Sequence, residues 1–294
     1  MTETSLSSSP DAPAASQAVS DVFPLEPQHL PQALAQSQAI NWPYRLEDWE
    51  FALALGRGFG VAMGDTLVGT ALWWPYGEDY ASAGMIIVAD QAQRKGIGAR
   101  MMDAMLADAA GRTMILNSTL EGEKLYTRLG FVPYDVVTQH QAVLTQAPAR
   151  DDTVPLRPAA AADRDAIVSL DRAAAGMDRT ALIDALDAIA DVLVVERDGA
   201  VSGYACVRRW GRGFVIGPVV ARDATDARAL IAAHAAAHVG DFVRIDVTRS
   251  CGLAPWLVGI GLPQVSEVVS MARGTPPPTS AEATLYALSN QSLG

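Results

Sequence analysis

Two cysteines in 294 residues, Cys206 and Cys251 with no CxxC spacing, leave no material for a disulfide framework, a zinc knuckle or a redox pair. Each reads as a small buried hydrophobe. Positive charge is also scarce. Lys and Arg number 22 against 33 Asp and Glu, a net charge of -11, which argues against nucleic acid because phosphate backbones call for a clustered basic face. A cationic or neutral small substrate fits such a surface better. No apolar run approaches the roughly 18 residues of a membrane-crossing helix, and the opening MTETSLSSSP lacks the basic start and apolar stretch of a secretory leader. The expectation is a cytoplasmic protein with neither a nucleic-acid nor a membrane partner, monomer or homodimer. Apolar residues are abundant at 50%, and a chain of this length ordinarily divides into two domains.

Residues 1–22 are Ser, Ala, Pro and Asp with little to bury and read as a disordered lead. From residue 23, Leu30 and Leu34, then Trp49 and Leu53, recur at helical spacing around Asn41-Trp42-Pro43-Tyr44, which predicts two short helices and a loop. GFGVAMGDTLVGTALWW predicts a hairpin about Gly64-Asp65, and YASAGMIIVAD a central strand. A glycine loop follows, then a helix carrying Met101, Met102 and Met105, the strand TMILNS, a helix across residues 120–129, and a strand pair in FVPYDVVTQHQAVLT. Residues 148–155 have linker composition. A second domain over 156–274 starts with two helical patterns and the hairpin VLVVERDGAVSGYACVRR. In the tail, 275–294, Leu285, Tyr286 and Leu288 at helical spacing predict a short docked helix.

The chain also repeats itself, which fixes its architecture before any single motif does. Laying Gly203 on Gly69 aligns VVERDGAVSGYA with VAMGDTLVGTA without a gap, and RIDVTRSCGLAPWLVGIGLPQV then falls on MILNSTLEGEKLYTRLGFVPY. One fold is written twice, each copy of the α/β class with a mixed sheet flanked by helices.

The chemistry concentrates in Gln93, Arg94, Lys95, Gly96, Ile97 and Gly98, placed between a strand and a helix. Backbone N–H groups at such a helix start can face an anion, and glycines let a phosphate come close. The loop is neither a Walker loop, lacking Gly-Lys-Ser/Thr, nor the dinucleotide GxGxxG. With the order hairpin, apolar strand, QRKGIG, helix, strand, helix and Leu125-Tyr126-Thr-Arg-Leu129-Gly130-Phe131, residues 23–147 resemble the GNAT acetyltransferase superfamily.

That resemblance implies acetyl-CoA as co-substrate, its pyrophosphate on Gln93 through Gly98 and Ala99, and its pantetheine along the splayed strand at Ile86, Ile87 and Val88. Asn117 would reach the pantetheine arm or cap the next helix. Tyr126 matches the family tyrosine placed to protonate the departing thiolate, its other reading being a core tyrosine. The base is less defined: Glu78, ahead of Asp79, has the longer reach, and Gly84 would leave room for a water-mediated base. Trp42, Tyr44, Trp74 and Tyr80, with Trp73 and Tyr76, cluster on elements that line the acceptor side in this superfamily, either as an aromatic pocket or as packing.

In the second copy, VARDATDARALI replaces the glycine loop and brings Asp223 and Asp226 where a pyrophosphate would sit, and Leu257 stands opposite Tyr126. Anions would be repelled. The ending of this copy resembles the C-terminal domain of bacterial tandem GNAT proteins, implying a degenerate partner domain that packs on the catalytic one. His234 and His238 lie four apart without a third ligand, so no metal is expected. The function implied is acetyl transfer from acetyl-CoA to an amine of a small molecule or peptide by direct attack in a ternary complex. The alternatives are a non-catalytic acyl-CoA-binding regulatory module, or transfer of a larger acyl or aminoacyl group.

Overall fold

Apolar residues at alternate positions build strands, and those at three- and four-residue spacing build the helices that cover them. The computed structural model describes residues 18–278 and 280–294. The first half contains β1 (Phe23–Pro24), α1 (Leu30–Ala39), α2 (Leu46–Leu55), β2 (Arg57–Met63), β3 (Thr66–Tyr76), β4 (Tyr80–Val88), α3 (Ile97–Asp108), β5 (Thr113–Ser118), α4 (Leu120–Arg128) and β6 (Val132–Val143). The second contains β7 (Leu156–Pro158), α5 (Arg164–Ala175), α6 (Thr180–Asp187), β8 (Asp191–Arg197), β9 (Ala200–Trp210), β10 (Gly213–Ala221), α7 (Ala224–Ala237), β11 (Phe242–Thr248), α8 (Ala254–Gly259), β12 (Gln264–Arg273) and β13 (Thr284–Ala287). Among the described residues no helix is long and apolar enough to cross a membrane.

All the strands form one mixed sheet in the order β1-β2-β3-β4-β5-β12-β6-β11-β13-β10-β9-β8-β7. Among the described residues only β4–β5 and β10–β11 pair in parallel. On one face α1, α2, α5 and α6 share a continuous apolar cluster containing Trp49, Trp74, Leu182 and Tyr204. On the other, α3 buries Met101, Met102 and Met105 against β2–β5, each side chain contributing roughly 1.5–3 kcal/mol. α7 and α8 cover the second half in the same way.

The repeat is visible residue by residue. Gly69 lies between Val61 and Val88 across its neighbouring strands, as Gly203 lies between Val195 and Ala221. The registers slip just after Val61 and just after Val195. The turns after α4 and α8 match too: Phe131 N donates to Tyr126 O at 3.0 Å, and Leu262 N to Leu257 O at 2.9 Å.

Three expectations are corrected. FVPYDVVTQHQAVLT is one long strand, β6, whose partners come from the second half: β12 pairs with both β5 and β6, and β6 pairs with β11. The halves have exchanged their sixth strands. The tail is strand β13 where a helix was expected, because β10 and β11 diverge and offer it edges to bond. Of the lead, residues 1–17 lie outside the described residues, whereas Val19 bridges Met63 and Ser20 N donates to Ala62 O at 2.8 Å.

Candidate active site

The first half is opened by a defect in β4. Thr70 of β3 faces Ile87 and Leu72 faces Gly84, so β4 carries one residue more than its partner in that interval. Met85 takes up the excess at φ 50, a left-handed conformation that costs a non-glycine residue roughly 1–3 kcal/mol. Thr70 Oγ1 steadies it by donating to Met85 O at 3.0 Å. The bulge bends β4 away from β5, and their pairing ends at Ala83 and Leu116. The two strands thus open into a wedge, and among the described residues no strand pairs with residues 84–88 on that side, an edge that can bond an extended chain as an added strand would.

At the end of that edge lies the glycine loop. Arg94 at φ 61 and Gly96 at φ 76 turn the chain into α3, with Gly96 as its N-cap. Among the described residues no backbone acceptor faces the amides of residues 94–99; the first in-helix bond is Arg100 N to Gly96 O. Such amides, with the helix dipole, can face an anion. Gln93 braces the loop from behind, its Nε2 donating to Asp90 Oδ1 at 2.9 Å and Val88 O at 3.3 Å. A Cβ added at Gly98 would rest 3.4 Å from Leu125 Cδ2 and 3.8 Å from Val88 Cγ2, so α4 docks where β4 ends and α3 begins, and Tyr126 is buried in the apolar cluster against which Leu125, Ile86 and Val88 pack. Burial pushes the Tyr126 phenol up to about 12, and its ring lies 5.9 Å from that of Phe131.

In the second half each of these features is filled. β13 occupies the space between the diverging β10 and β11, pairing with Val219, Val220 and Ala221 on one side and Val247 on the other. Asp223 Oδ1 accepts from Thr225 N at 2.8 Å and Asp226 N at 3.0 Å, so the chain's own carboxylate occupies the anion site of α7. Leu257, in the place of Tyr126, is fully buried.

Models described as acetyltransferase (GNAT) domain match residues 56–133 and 167–287, one in each half. The chain belongs to the GNAT acetyltransferase superfamily. The uncharacterized N-acetyltransferase YitH of Bacillus subtilis is 27% identical over 283 residues, covering 94% of this chain and 99% of its own. A putative acetyltransferase from Pyrococcus horikoshii shares the fold, with a TM-score of 0.78 at 20% identity over 93% of this chain and 95% of that one. So does a tandem GNAT protein from the clavulanic acid biosynthesis pathway, with a TM-score of 0.63 at 15% identity over 87% and 98%.

Within this tandem GNAT fold, the loop residues and the β4 edge at Ile86, Ile87 and Val88 adjoin, and Tyr126 is a core tyrosine of the cluster packed against Ile86 and Val88. Glu78 does not join them. It sits exposed with Asp79 in the turn before β4, roughly 20 Å along the strand from Gly84 at 3.3 Å per residue. Gly84 leaves no room for a water, because Ser292 lies against it: an added Cβ would come within 2.9 Å of Ser292 Cα. Asn117 neither caps α4, a role taken by Thr119, nor faces an open arm. Its Nδ2 donates to Gln291 O at 2.8 Å and its Oδ1 accepts from Ser270 Oγ at 2.7 Å.

The aromatic residues divide. Trp74 is core, its Nε1 donating to Ala52 O at 2.7 Å, and Trp73 faces the opposite side, bonded to Asp108 at 3.0 Å. Tyr80 packs at the edge of the α1/α2 core. Trp42 and Tyr44 form a wall with Trp210 of the second half, ring centroids 6.1 Å and 5.8 Å apart. Sequence reasoning missed Ser82, Trp210 and residues 289–293, which the fold brings together with Tyr44, Gly84 and Asn117. The signal pointing there was the resemblance of the second copy to the C-terminal domain of tandem GNAT proteins, which implies that it packs on the first. His234 is core, its Nε2 3.0 Å from Ala205 O, and His238 contacts Asp241 at 3.1 Å.

Proposed function

We propose that the first half transfers an acetyl group from acetyl-CoA to an amine by direct attack in a ternary complex, and that the second half binds no acyl-CoA. One observation carries this reading: the open β4 edge and the uncapped amides of the first half are the features that β13 and Asp223 fill in the second. The residues fit coenzyme A, with the amides of residues 94–99 for its pyrophosphate and the backbone of Ile86 to Val88 for its pantetheine. When bound, acetyl-CoA supplies the activated acyl carbon. Tyr126 holds its proton toward the departing thiolate. Burial pushes the phenol up to about 12, above the ordinary thiol range, so it stabilises the leaving sulfur by hydrogen bonding. The proton the thiolate finally takes up balances the one the attacking amine gives up.

A second reading, an acyl-CoA-binding module without turnover, is favoured by the presence of Ser292 against Gly84. Calorimetric titration with coenzyme A and thiol release from acetyl-CoA across amines, polyamines and peptides separate the two. The transferase reading expects one coenzyme A per chain and thiol release with at least one acceptor. Binding with no release from any acceptor would establish the module.

A further inference from the structure

After β13 the chain crosses to the first half and lies over the mouth of its wedge. Three successive main-chain carbonyls there each meet a side-chain donor from a different strand. Asn117 Nδ2 of β5 donates to Gln291 O at 2.8 Å, Ser82 Oγ of β4 to Ser292 O at 3.0 Å, and the Tyr76 hydroxyl of β3 to Leu293 O. The segment satisfies its own amides: Asn290 Oδ1 accepts from Ser292 N at 2.8 Å and Leu293 N at 2.9 Å, and Gly294 N donates to Asn290 O at 3.0 Å. Ser289, Asn290 and Leu293 are as buried as core residues.

The three donors read carbonyl oxygens alone. They ask for a peptide main chain and are indifferent to side chains at the first two positions, where Gln291 bonds Asp246 and Ser292 bonds Tyr44 instead. They also stand where an acceptor must approach, since Ser82 and Gly84 lie on one face of β4 immediately before the bulge, and Asn117 is across the wedge on β5. Resting on the acyl-transfer reading above, we propose that the acceptor is a peptide whose main chain is held by Tyr76, Ser82 and Asn117, and that residues 289–293 are a resident occupant of that cleft. The acceptor gains access by displacing them.

The test uses two chains, one ending at Leu288 and an intact chain carrying Asn290→Ala, which releases the segment's fold without touching the three donors. Each is titrated with fluorescein-labelled Ser-Asn-Gln-Ser-Leu-Gly by fluorescence anisotropy, with no acyl donor present. Both should bind, the unaltered chain binding about tenfold or more weakly, and Ser82→Ala in the shortened chain should cost about tenfold in affinity, the worth of one hydrogen bond to a buried group. A variant that keeps its thermal shift with coenzyme A yet ignores the peptide overturns the proposal; should the shortened chain fail to fold, the Asn290→Ala chain decides. Peptide binding without any response to coenzyme A would leave the cleft standing and remove the acyl-transfer reading.

Discussion

At the scale of single residues, Tyr126 and His234 show burial acting on two groups in opposite directions. The Tyr126 phenol, raised to about 12, stays protonated through neutral and moderately alkaline pH. If it is the acid, kcat should show no alkaline fall attributable to it below about pH 11, one unit short of that value, since a group that must be protonated is lost only as pH rises through its pKa. Tyr126→Phe should lower kcat roughly a hundredfold, the lower range of general acid catalysis, with coenzyme A affinity within about twofold because the phenol lies off the pyrophosphate loop. His234 moves the other way, lowered from 6.5 to about 4 chiefly by burial. The unfolded chain therefore takes up this proton first as pH falls, and stability present above about pH 6.5 is lost progressively toward pH 4, by up to about 3 kcal/mol. Urea midpoints measured across that interval should fall, and His234→Gln should flatten the fall; an unchanged slope would assign the loss to carboxylates.

Among elements, α3 separates ligand contact from packing. Its Gly98 has room for a methyl group, which would make an ordinary contact with Leu125, and alanine is the better helix former. Gly98→Ala should therefore leave the melting temperature unchanged or raised while weakening coenzyme A binding measured by calorimetry. Equal loss of both would mean that the glycine serves packing. The hairpins, α3 and β5 were legible in the sequence because periodicity, turn residues and caps act within a dozen positions. The tail was not. Leu285, Tyr286 and Leu288 keep helical spacing, yet Thr284–Ala287 form β13 because the diverging strands of the second half supply edge partners that no local pattern encodes. The candidate site divides along the same line: the loop and Tyr126 are local motifs, whereas Gln291 and Ser292 reach Asn117 and Ser82 across more than 170 positions.

For the whole molecule, the exchange of β6 and β12 decides what can stand alone. A fragment of residues 18–147 would leave β5 without its antiparallel neighbour and β6 without either of its partners. Expressed separately, each half should aggregate or show no cooperative melt, whereas the full chain should unfold in a single transition by circular dichroism and fluorescence together. Two separable transitions in the full chain would show that the shared sheet does not couple the halves.

The same exchange imposes an order on biosynthesis. Ser118 pairs with Val269, so the edge of β5 waits for about 150 further residues, roughly 8 to 30 seconds of elongation at 5–20 residues per second. Throughout that interval the nascent chain exposes an unpaired strand edge on β5, a state suited to capture by chaperones. Synthesis of β12, rather than completion of the first half, marks the moment at which the shared sheet can close.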